Sequence, residues 1–440
     1  MSSPDEDLRI AMAAHKAERF DEAEAGYLRV LEARPDHAKA LYYLGLLQFH
    51  RGDTAAAIKF VQRCLNFART SGPGWNTLGG LFVAAGRKTE ARDAYHRATV
   101  VAPAMGEAWY NYGICLRDEG DVEGAMEALR TSLAREPGYS RSYEALATVL
   151  YQVGRTQEAA DVYRQWAAFD PQSAKARHMV AAVSQRDVPA RAADDYVREL
   201  FDGAARSFDA NLGKLNYRAP TLVVEALVRA ARAAYSASPA RGAQGASPAQ
   251  GAQHVHGASP MHGARAAKEA SPADAAATLA SVLDAGCGTG LCGPLLRSHC
   301  VRLVGVDLSS QMIERARGRE CYDDLVVAEL SAFMRSRQSE FDAIVSADTL
   351  VYFGALEEPL SAARAALRGE GVLVFTVELL PATASQAHRL ETHGRYAHGE
   401  QYVCSVLAAS GFAVTSFEPA TLREESGAPV SGAVVTARGV

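Results

Sequence analysis

Between residues 4 and 171 the apolar positions fall in helical clusters, and the clusters themselves recur. Pro35, Pro103, Pro137 and Pro171 lie on a 34-residue grid in which Arg69 fills the remaining slot. Gly45, Gly79, Gly113 and Ala147 share the grid, as do Gly52, Gly86, Gly120 and Gly154, and Ala23, Ala57, Ala91, Ala125 and Ala159. A small residue lets two helices cross closely, a later glycine ends the first helix, and a proline follows the second. The unit holding Trp75, Leu78, Gly79, Phe82, Ala91, Tyr95, Ala98 and Pro103 shows the pattern best. The period predicts five antiparallel helix pairs and a closing helix near 172–186, an α-solenoid over residues 4–186.

Past 186 the period disappears. Residues 190–208 and 219–235 read as helices. Between them Phe208-Asp209 is followed by Leu215-Asn216-Tyr217-Arg218-Ala219-Pro220. From 278 onward short apolar runs alternate with amphipathic helical stretches. The strands are the run ending at Asp284, then 301–306, 325–328, 341–346 and 371–377. Helices are read at 310–317 and 356–367. Two final strands, 413–417 and 430–437, form a hairpin-like pair. This predicts an α/β domain, a seven-stranded Rossmann-like sheet with helices on both faces. Residues 236–277 interrupt it: Ser-Pro recurs at 238, 247, 259 and 271 among Ala, Gly and Gln. Such a segment buries too little apolar surface to offset its ordering entropy, so disorder is expected there. His254, His256 and His262 lie in it without carboxylate or Cys partners, so no metal site is expected.

Composition bounds these readings. A chain of 440 residues exceeds one ordinary core, and 48% hydrophobic with 22% charged residues is globular. A formal charge of -5 gives no electrostatic case for nucleic acid or an anionic membrane. The acidic start, Met1 to Asp7, does not read as a signal peptide, and no apolar run approaches the ~18 residues that span a bilayer. Seven cysteines without zinc spacing fit free thiols in a reducing cytosol, so a cytoplasmic location is expected.

The candidate chemistry centres on Val282-Leu283-Asp284-Ala285-Gly286-Cys287-Gly288-Thr289-Gly290, where a buried strand ends in a glycine turn. Asp284, Asp307, Glu329, Asp348 and Glu378 each fall at the carboxyl end of a strand, where ligands of such sheets bind. Helix capping would explain one or two of them; five favour a cationic, hydroxyl-rich ligand. Gly288 to Gly293 also fits GxGxxG with Asp307 19 residues on, which keeps an NAD-dependent oxidoreductase in play. Against it, Asp284 sits where a pyrophosphate would be repelled and an ammonium welcomed.

The repeat register resembles the tetratricopeptide repeat. Val-Leu-Asp-Ala-Gly-Cys-Gly-Thr-Gly (282–290) and Gly-Val-Asp-Leu-Ser (305–309) resemble the cofactor motifs of class I S-adenosylmethionine-dependent methyltransferases. Together these make the chain similar to bacterial methyltransferases that carry tetratricopeptide repeats, with the methyltransferase domain at 187–235 and 278–440. The resemblance implies S-adenosylmethionine as cofactor. Asp284, Gly286 and Gly288 would line its methionine end, Gly290 would belong to the same cofactor site, Asp307 would accept the ribose hydroxyls, and Leu308 would pack on the adenine. Glu329 and Leu330 would face the adenine, although the family often has Asp there. Asp348 would lie near the methionine moiety.

Methyl transfer needs two groups held close and aligned, and a base only where the nucleophile must lose a proton. Candidates are Tyr352 after the fourth strand and His393 or His398 after the fifth. Arg395, Tyr396 and Tyr217 are candidates for substrate contact, with a salt bridge from Arg395 to Glu391 or Glu400 as the structural alternative. The array's expected inner face, with Tyr42, Phe49, Asn76, Tyr110, Arg117, Glu144 and Tyr151, would dock a protein or peptide, or else serve self-association. It lacks the Lys/Asn/Arg set that clamps a C-terminal carboxylate. A repeat scaffold with a non-catalytic cofactor domain is the other reading of the whole chain, and the class of methyl acceptor stays open.

Overall fold

A computed structural model describes residues 3–236, 278–425 and 427–440. The disorder expected for 236–277 and its three histidines lie outside these residues, apart from Ser236, which ends a helix. The described chain divides into two compact units, Met1–Val180 and Ala181–Val440.

The first unit is a stack of helix pairs. First helices are α1 (Pro4–Lys16), α3 (Ala38–His50), α5 (Gly72–Ala84), α7 (Gly106–Glu119) and α9 (Ser140–Gln152). Second helices are α2 (Phe20–Ala33), α4 (Thr54–Phe67), α6 (Lys88–Val101), α8 (Val122–Arg135) and α10 (Thr156–Phe169). A further helix, α11 (Ala174–Ser184), starts on the same grid. Every first helix begins 34 residues after the last because each unit is built by the same local rules. Gly52, Gly86, Gly120 and Gly154 follow the first helices with φ between +74° and +88°, a conformation L side chains resist. Asp53, Ser71 and Asp121 cap helix N-termini, as in the 2.8 Å bond from Ala56 N–H to Asp53. The Arg69 slot keeps its neighbours' role: its carbonyl accepts from Trp75 Nε1 (2.9 Å) as that of Pro103 does from Trp109 Nε1 (3.0 Å).

Most side chains expected on the inner face have near neighbours of their own. Asn76 is buried and accepts from Asn111 (2.9 Å), and Tyr42 shares a hydrogen bond with Thr77 (3.0 Å). Tyr110 packs edge-on against Tyr139, Tyr151 lies beside Tyr163, and Arg117 and Glu144 pair with Asp118 and Lys175. Phe49 is exposed.

Among the described residues, the second unit is built on a sheet of nine strands. Seven of them, in the order β3-β2-β1-β4-β5-β9-β8, make the main sheet. They are β1 (Leu279–Ala285), β2 (Cys300–Asp307), β3 (Asp324–Val327), β4 (Phe341–Ser346), β5 (Leu367–Leu379), β8 (Phe412–Glu425) and β9 (Ala428–Gly439). The first five are parallel, and β9 and β8 close the edge antiparallel. Adjacent strand residues serve opposite faces. Leu283, Ile344 and Leu373 pack with α17 (Leu330–Arg335), α18 (Glu357–Ala366) and α19 (Glu400–Ala409). Val282, Ala343 and Val372 pack with α14 (Ala219–Ser236) and the one-turn α15 (Gly293–Leu296). Burial on both faces gives these strands apolar central runs, such as Leu303–Val306 and Ala343–Val345. Each fully buried Val, Leu or Phe stabilises by about 1.5–3 kcal/mol.

Three segments differ from the sequence expectation. The final hairpin is longer than 413–417 and 430–437, because its pairing continues through two register shifts to Glu425. The stretch after β5, where no strand was expected before 413, holds two three-residue strands, β6 (His388–Leu390) and β7 (Tyr396–His398), and β7 pairs parallel with the end of β5. The helix expected at 190–208 is α12 (Asp194–Ala204), and a separate α13 (Phe208–Lys214) follows where a connection was read.

Candidate active site

The glycine turn follows β1 on the carboxyl edge of the sheet. The N–H groups of Gly286 and Cys287 both donate to the Val306 carbonyl (2.8 and 2.9 Å), which pins the turn to β2. Gly286 has φ +77°, and a Cβ there would stand 2.2 Å from Thr349 Oγ1, so only glycine fits. Gly288 has φ +54°, and a Cβ there would meet nothing within 4 Å. Its open side belongs to a cavity lined by the turn, by Asp307 and Leu308 after β2, by Ala328, Glu329 and Leu330 after β3, and by Ala347 to Thr349 after β4. Asp307 accepts from Gly288 N–H (2.9 Å) and Ser309 N–H (2.8 Å). Burial raises its pKa, and these backbone donors oppose the rise.

Asp284 does not line the cavity. It is buried beneath the turn and accepts a 2.6 Å hydrogen bond from the Tyr322 hydroxyl. Burial pushes its carboxyl up to about 7. The Tyr322 ring fills the space beside three glycines: Cβ atoms at Gly290, Gly293 and Gly305 would approach it to 3.0, 2.6 and 3.0 Å. Part of the GxGxxG spacing therefore accommodates a tyrosine 29 residues after Gly293. The glycine turn leads into the single turn α15.

The roof comes from α12, α13 and Tyr217. Phe201, Phe208 and Tyr352 form an edge-to-face series with centroids 5.9 and 5.4 Å apart, and Val197, Leu212 and Leu215 extend the apolar wall. Asp209 ties the roof to the turn: it accepts from Thr289 Oγ1 (2.5 Å) and pairs with Arg319 (2.6 Å). Asp202 accepts from Ser309 Oγ on the same side.

One end of the cavity is an ion-pair cluster. Arg423, 5% exposed on β8, pairs with Asp348 (2.6 Å), Glu378 and Glu425 (2.7 Å). Arg395 pairs with Glu378 (2.7 Å) and Glu425 (2.7 Å), not with Glu391 or Glu400. Asp348 holds φ +53°, unusual for a non-glycine residue, and Thr376 Oγ1 donates to its carboxylate (3.0 Å). Burial raises the Asp348 pKa against the pull of Arg423. Burial opposes ionisation of Glu378 too, but Arg395 and Arg423 outweigh it and hold that carboxyl below the usual range.

The sequence candidates thus divide. Gly286, Gly288, Asp307, Leu308, Glu329, Leu330, Asp348, Tyr352, Arg395 and Tyr217 share the cavity wall, while Gly290, His393, Tyr396 and His398 are not part of it. Glu329 also caps α17, accepting from Ser331 N–H (3.1 Å) and Ala332 N–H (2.7 Å). Burial pushes the Tyr352 hydroxyl up to about 12. His398 is buried and bonded to the Phe353 carbonyl (2.8 Å), with its pKa lowered by burial to about 4. Tyr396 donates to the Pro189 carbonyl (2.7 Å), and His393 stands 3.5 Å from Glu378. Arg423, Glu425, Phe201 and Tyr322 escaped the sequence reading. Only strand register and ring packing bring them in, and no local motif marks them.

Comparison with known proteins agrees with this architecture. Residues 282–371 match the model of a methyltransferase domain, and residues 8–73, 76–140 and 116–183 match tetratricopeptide-repeat models. Malonyl-[acyl-carrier protein] O-methyltransferase of Enterobacter lignolyticus is 33% identical over 101 residues, which is 23% of this chain and 40% of that protein. The enzyme of the same name from Salmonella typhimurium is 34% identical over 110 residues, 24% and 43% of the two chains. Tetratricopeptide repeat protein 8 of Caenorhabditis elegans is 27% identical over 146 residues, 33% of this chain and 29% of that one. The chain spans less than half the length of each of these relatives. Among solved structures, the MamA protein aligns at 24% identity and TM-score 0.36, over 39% of this chain and 94% of its own. Fold and site together define a class I methyltransferase domain. The chain as a whole joins that domain to an array of tetratricopeptide repeats. No helix among the described residues is long and apolar enough to cross a membrane.

Proposed function

We propose that this chain is an S-adenosylmethionine-dependent methyltransferase whose repeats dock a protein partner or substrate. The observation that carries the reading is Asp307: its carboxylate is held by the Gly288 and Ser309 N–H groups on the wall of a cavity onto which Gly288 opens. The residues suit such a cofactor. Gly288 leaves free space where any side chain would intrude, Asp307 offers an acceptor for ribose hydroxyls, and Leu308, Ala328 and Leu330 offer an apolar slot for the adenine. When bound, the cofactor supplies an electrophilic methyl group. The chain's part is to exclude water with the Phe201–Phe208–Tyr352 roof and to hold the acceptor against Asp348, Arg395, Tyr217 and Tyr352. Tyr352 is the candidate in the cavity wall that could exchange a proton with an acceptor there.

Calorimetry with S-adenosylhomocysteine tests the reading. Wild-type protein should bind, and Asp307→Ala should weaken binding about 30-fold, roughly 2 kcal/mol for a lost charge-assisted hydrogen bond. No binding, or equal binding by the variant, removes the proposal. The docking part is tested with labelled methyl cofactor in a cell extract. Phe49→Ala with Tyr151→Ala should lower methyl incorporation while leaving S-adenosylhomocysteine affinity unchanged; unaltered incorporation removes it.

A further inference from the structure

The end of the cavity away from Asp307 is unevenly charged. Asp348, Glu378 and Glu425 bring three carboxylates together, and Arg395 and Arg423 bring two guanidiniums. One negative charge is left over. His393, 3.5 Å from Glu378, does not cancel it near neutral pH, because burial and Arg395 lower its pKa. Arg191 is committed to Asp194 at 2.5 Å. A sulfonium cofactor with an ionised amino-acid tail would bring one net positive charge, but Asp307 and Glu329 on the cofactor walls add two more negative ones. The remaining wall is aromatic and aliphatic: Phe201, Phe208, Leu212, Leu215 and Tyr352. Glu425, 33% exposed, is the carboxylate of the three most open to solvent and lines the cavity, so a ligand of opposite sign can reach the surplus charge there.

We propose, on the premise of the cofactor reading above, that the methyl acceptor is a small apolar molecule with a single cationic amine. Its ammonium meets Glu425 and Asp348, and its hydrocarbon body lies against the Phe201, Phe208 and Tyr352 rings, whose faces favour a cation. For transfer the nitrogen gives one N–H proton to the Asp348 carboxylate, and its freed lone pair forms the new N–C bond as the methyl carbon–sulfur bond breaks, leaving a neutral thioether and a methylated ammonium. A carboxylate head would double the excess charge, and both guanidiniums are already engaged by carboxylates. The named relatives methylate malonyl-[acyl-carrier protein] by their own titles; the acid-rich corner of this chain selects the opposite charge.

The test compares three probes of one shape, 2-phenylethylamine, 2-phenylethanol and 3-phenylpropionate, by calorimetry at pH 7.5. Each is titrated into the full-length protein with and without saturating S-adenosylhomocysteine. The amine should bind about tenfold more tightly than the carboxylate. Glu425→Gln should erase that preference while S-adenosylhomocysteine affinity holds. Equal or tighter carboxylate binding, no amine binding, or an amine preference untouched by Glu425→Gln overturns the proposal. Failure of S-adenosylhomocysteine to bind would instead remove the cofactor premise, and the titrations without it still decide the charge preference of the cavity.

Discussion

Gly79 in the repeat array and Gly293 beside the cavity meet the same kind of neighbour: a Cβ at either would come within 2.6 Å of a tyrosine ring, Tyr95 or Tyr322. In the array the two partners belong to one helix pair, and the arrangement recurs at Gly45 with Val61 and Gly113 with Leu129. Beside the cavity one ring serves Gly290, Gly293 and Gly305 at once, and its hydroxyl holds a buried carboxylate. Charges divide the same way. Array pairs such as Arg87 with Glu90 are solvent-exposed, whereas Arg423, with 5% of its side chain exposed, joins three carboxylates. A repeat distributes its stability over near neighbours, and the sheet unit concentrates it in a few side chains that touch many elements.

The largest expected effect breaks that concentration. Arg423→Met leaves Asp348, Glu378 and Glu425 with one guanidinium among them and should cost about 3–5 kcal/mol at pH 7.5. In the wild type, Glu378 and Glu425 have folded-state pKa values below their ordinary 4.5. Their contribution is complete above that pH and fades as pH falls through the lowered values. Asp348, raised by burial, opposes this in part. In the variant the unpaired carboxylates titrate above their ordinary values, so its deficit shrinks as pH falls from 7.5 to 5. Hydrogen exchange of peptides within 279–307 follows the unit. A deficit independent of pH would contradict the charge explanation. All three tryptophans (Trp75, Trp109 and Trp166) lie in the array, so their fluorescence in denaturant should not report the loss.

Next in size is a matched pair. Gly293→Ala puts a methyl group 2.6 Å from the Tyr322 ring and from Cys321 Sγ, which should destabilise the unit by about 2–3 kcal/mol. Displacing Tyr322 also disturbs Gly290, so S-adenosylhomocysteine affinity should fall. Gly79→Ala meets Tyr95 within a stack that can shift, and about 1 kcal/mol is expected, read by tryptophan fluorescence with no change in ligand binding. Equal costs at the two sites would mean the ring beside the cavity is no more constrained than those of the array.

The same division governs what the sequence reveals. The array is legible because its contacts lie within one period, so Gly52 and Gly86, or Trp75 and Trp109, repeat each other's surroundings. The parallel strands are legible because burial on both faces leaves apolar runs such as Ala343–Val345. The glycine turn and Asp307 are readable from their spacing. Arg423 is not: it approaches Asp348 only because β8 pairs with β9 and β9 with β5, across 75 residues of chain. Strands β6 and β7 are three residues each and carry no period of their own. Asp284 reads from its position as a ligand group, and only the three-dimensional packing of Tyr322 reveals it as a buried partner under the turn.

Tyr322→Phe, the smallest change, separates the two parts that Tyr322 plays. The ring stays, so Gly290, Gly293 and Gly305 keep their neighbour and the turn should keep its shape. Only the hydrogen bond to Asp284 is lost. The folded-state pKa of Asp284 is raised by burial from 3.8 to about 7, with the Tyr322 bond pulling it down. A carboxyl raised in this way contributes stability that is complete below about pH 4 and fades as pH rises through its folded value. Without the hydroxyl the folded value climbs further, and the ionised form loses its donor. At pH 5, with Asp284 protonated in both proteins, the variant should lie within about 0.5–1 kcal/mol of wild type, the worth of a neutral hydrogen bond. At pH 8 the gap should widen to about 1.5–2 kcal/mol, since a bond to an ionised group is lost. Hydrogen exchange of the 279–290 segment at both pH values measures it. A gap of the same size at pH 5 and pH 8 would mean that Asp284 keeps one protonation state throughout; no gap at either pH would mean that Tyr322 serves the glycine turn through its ring alone.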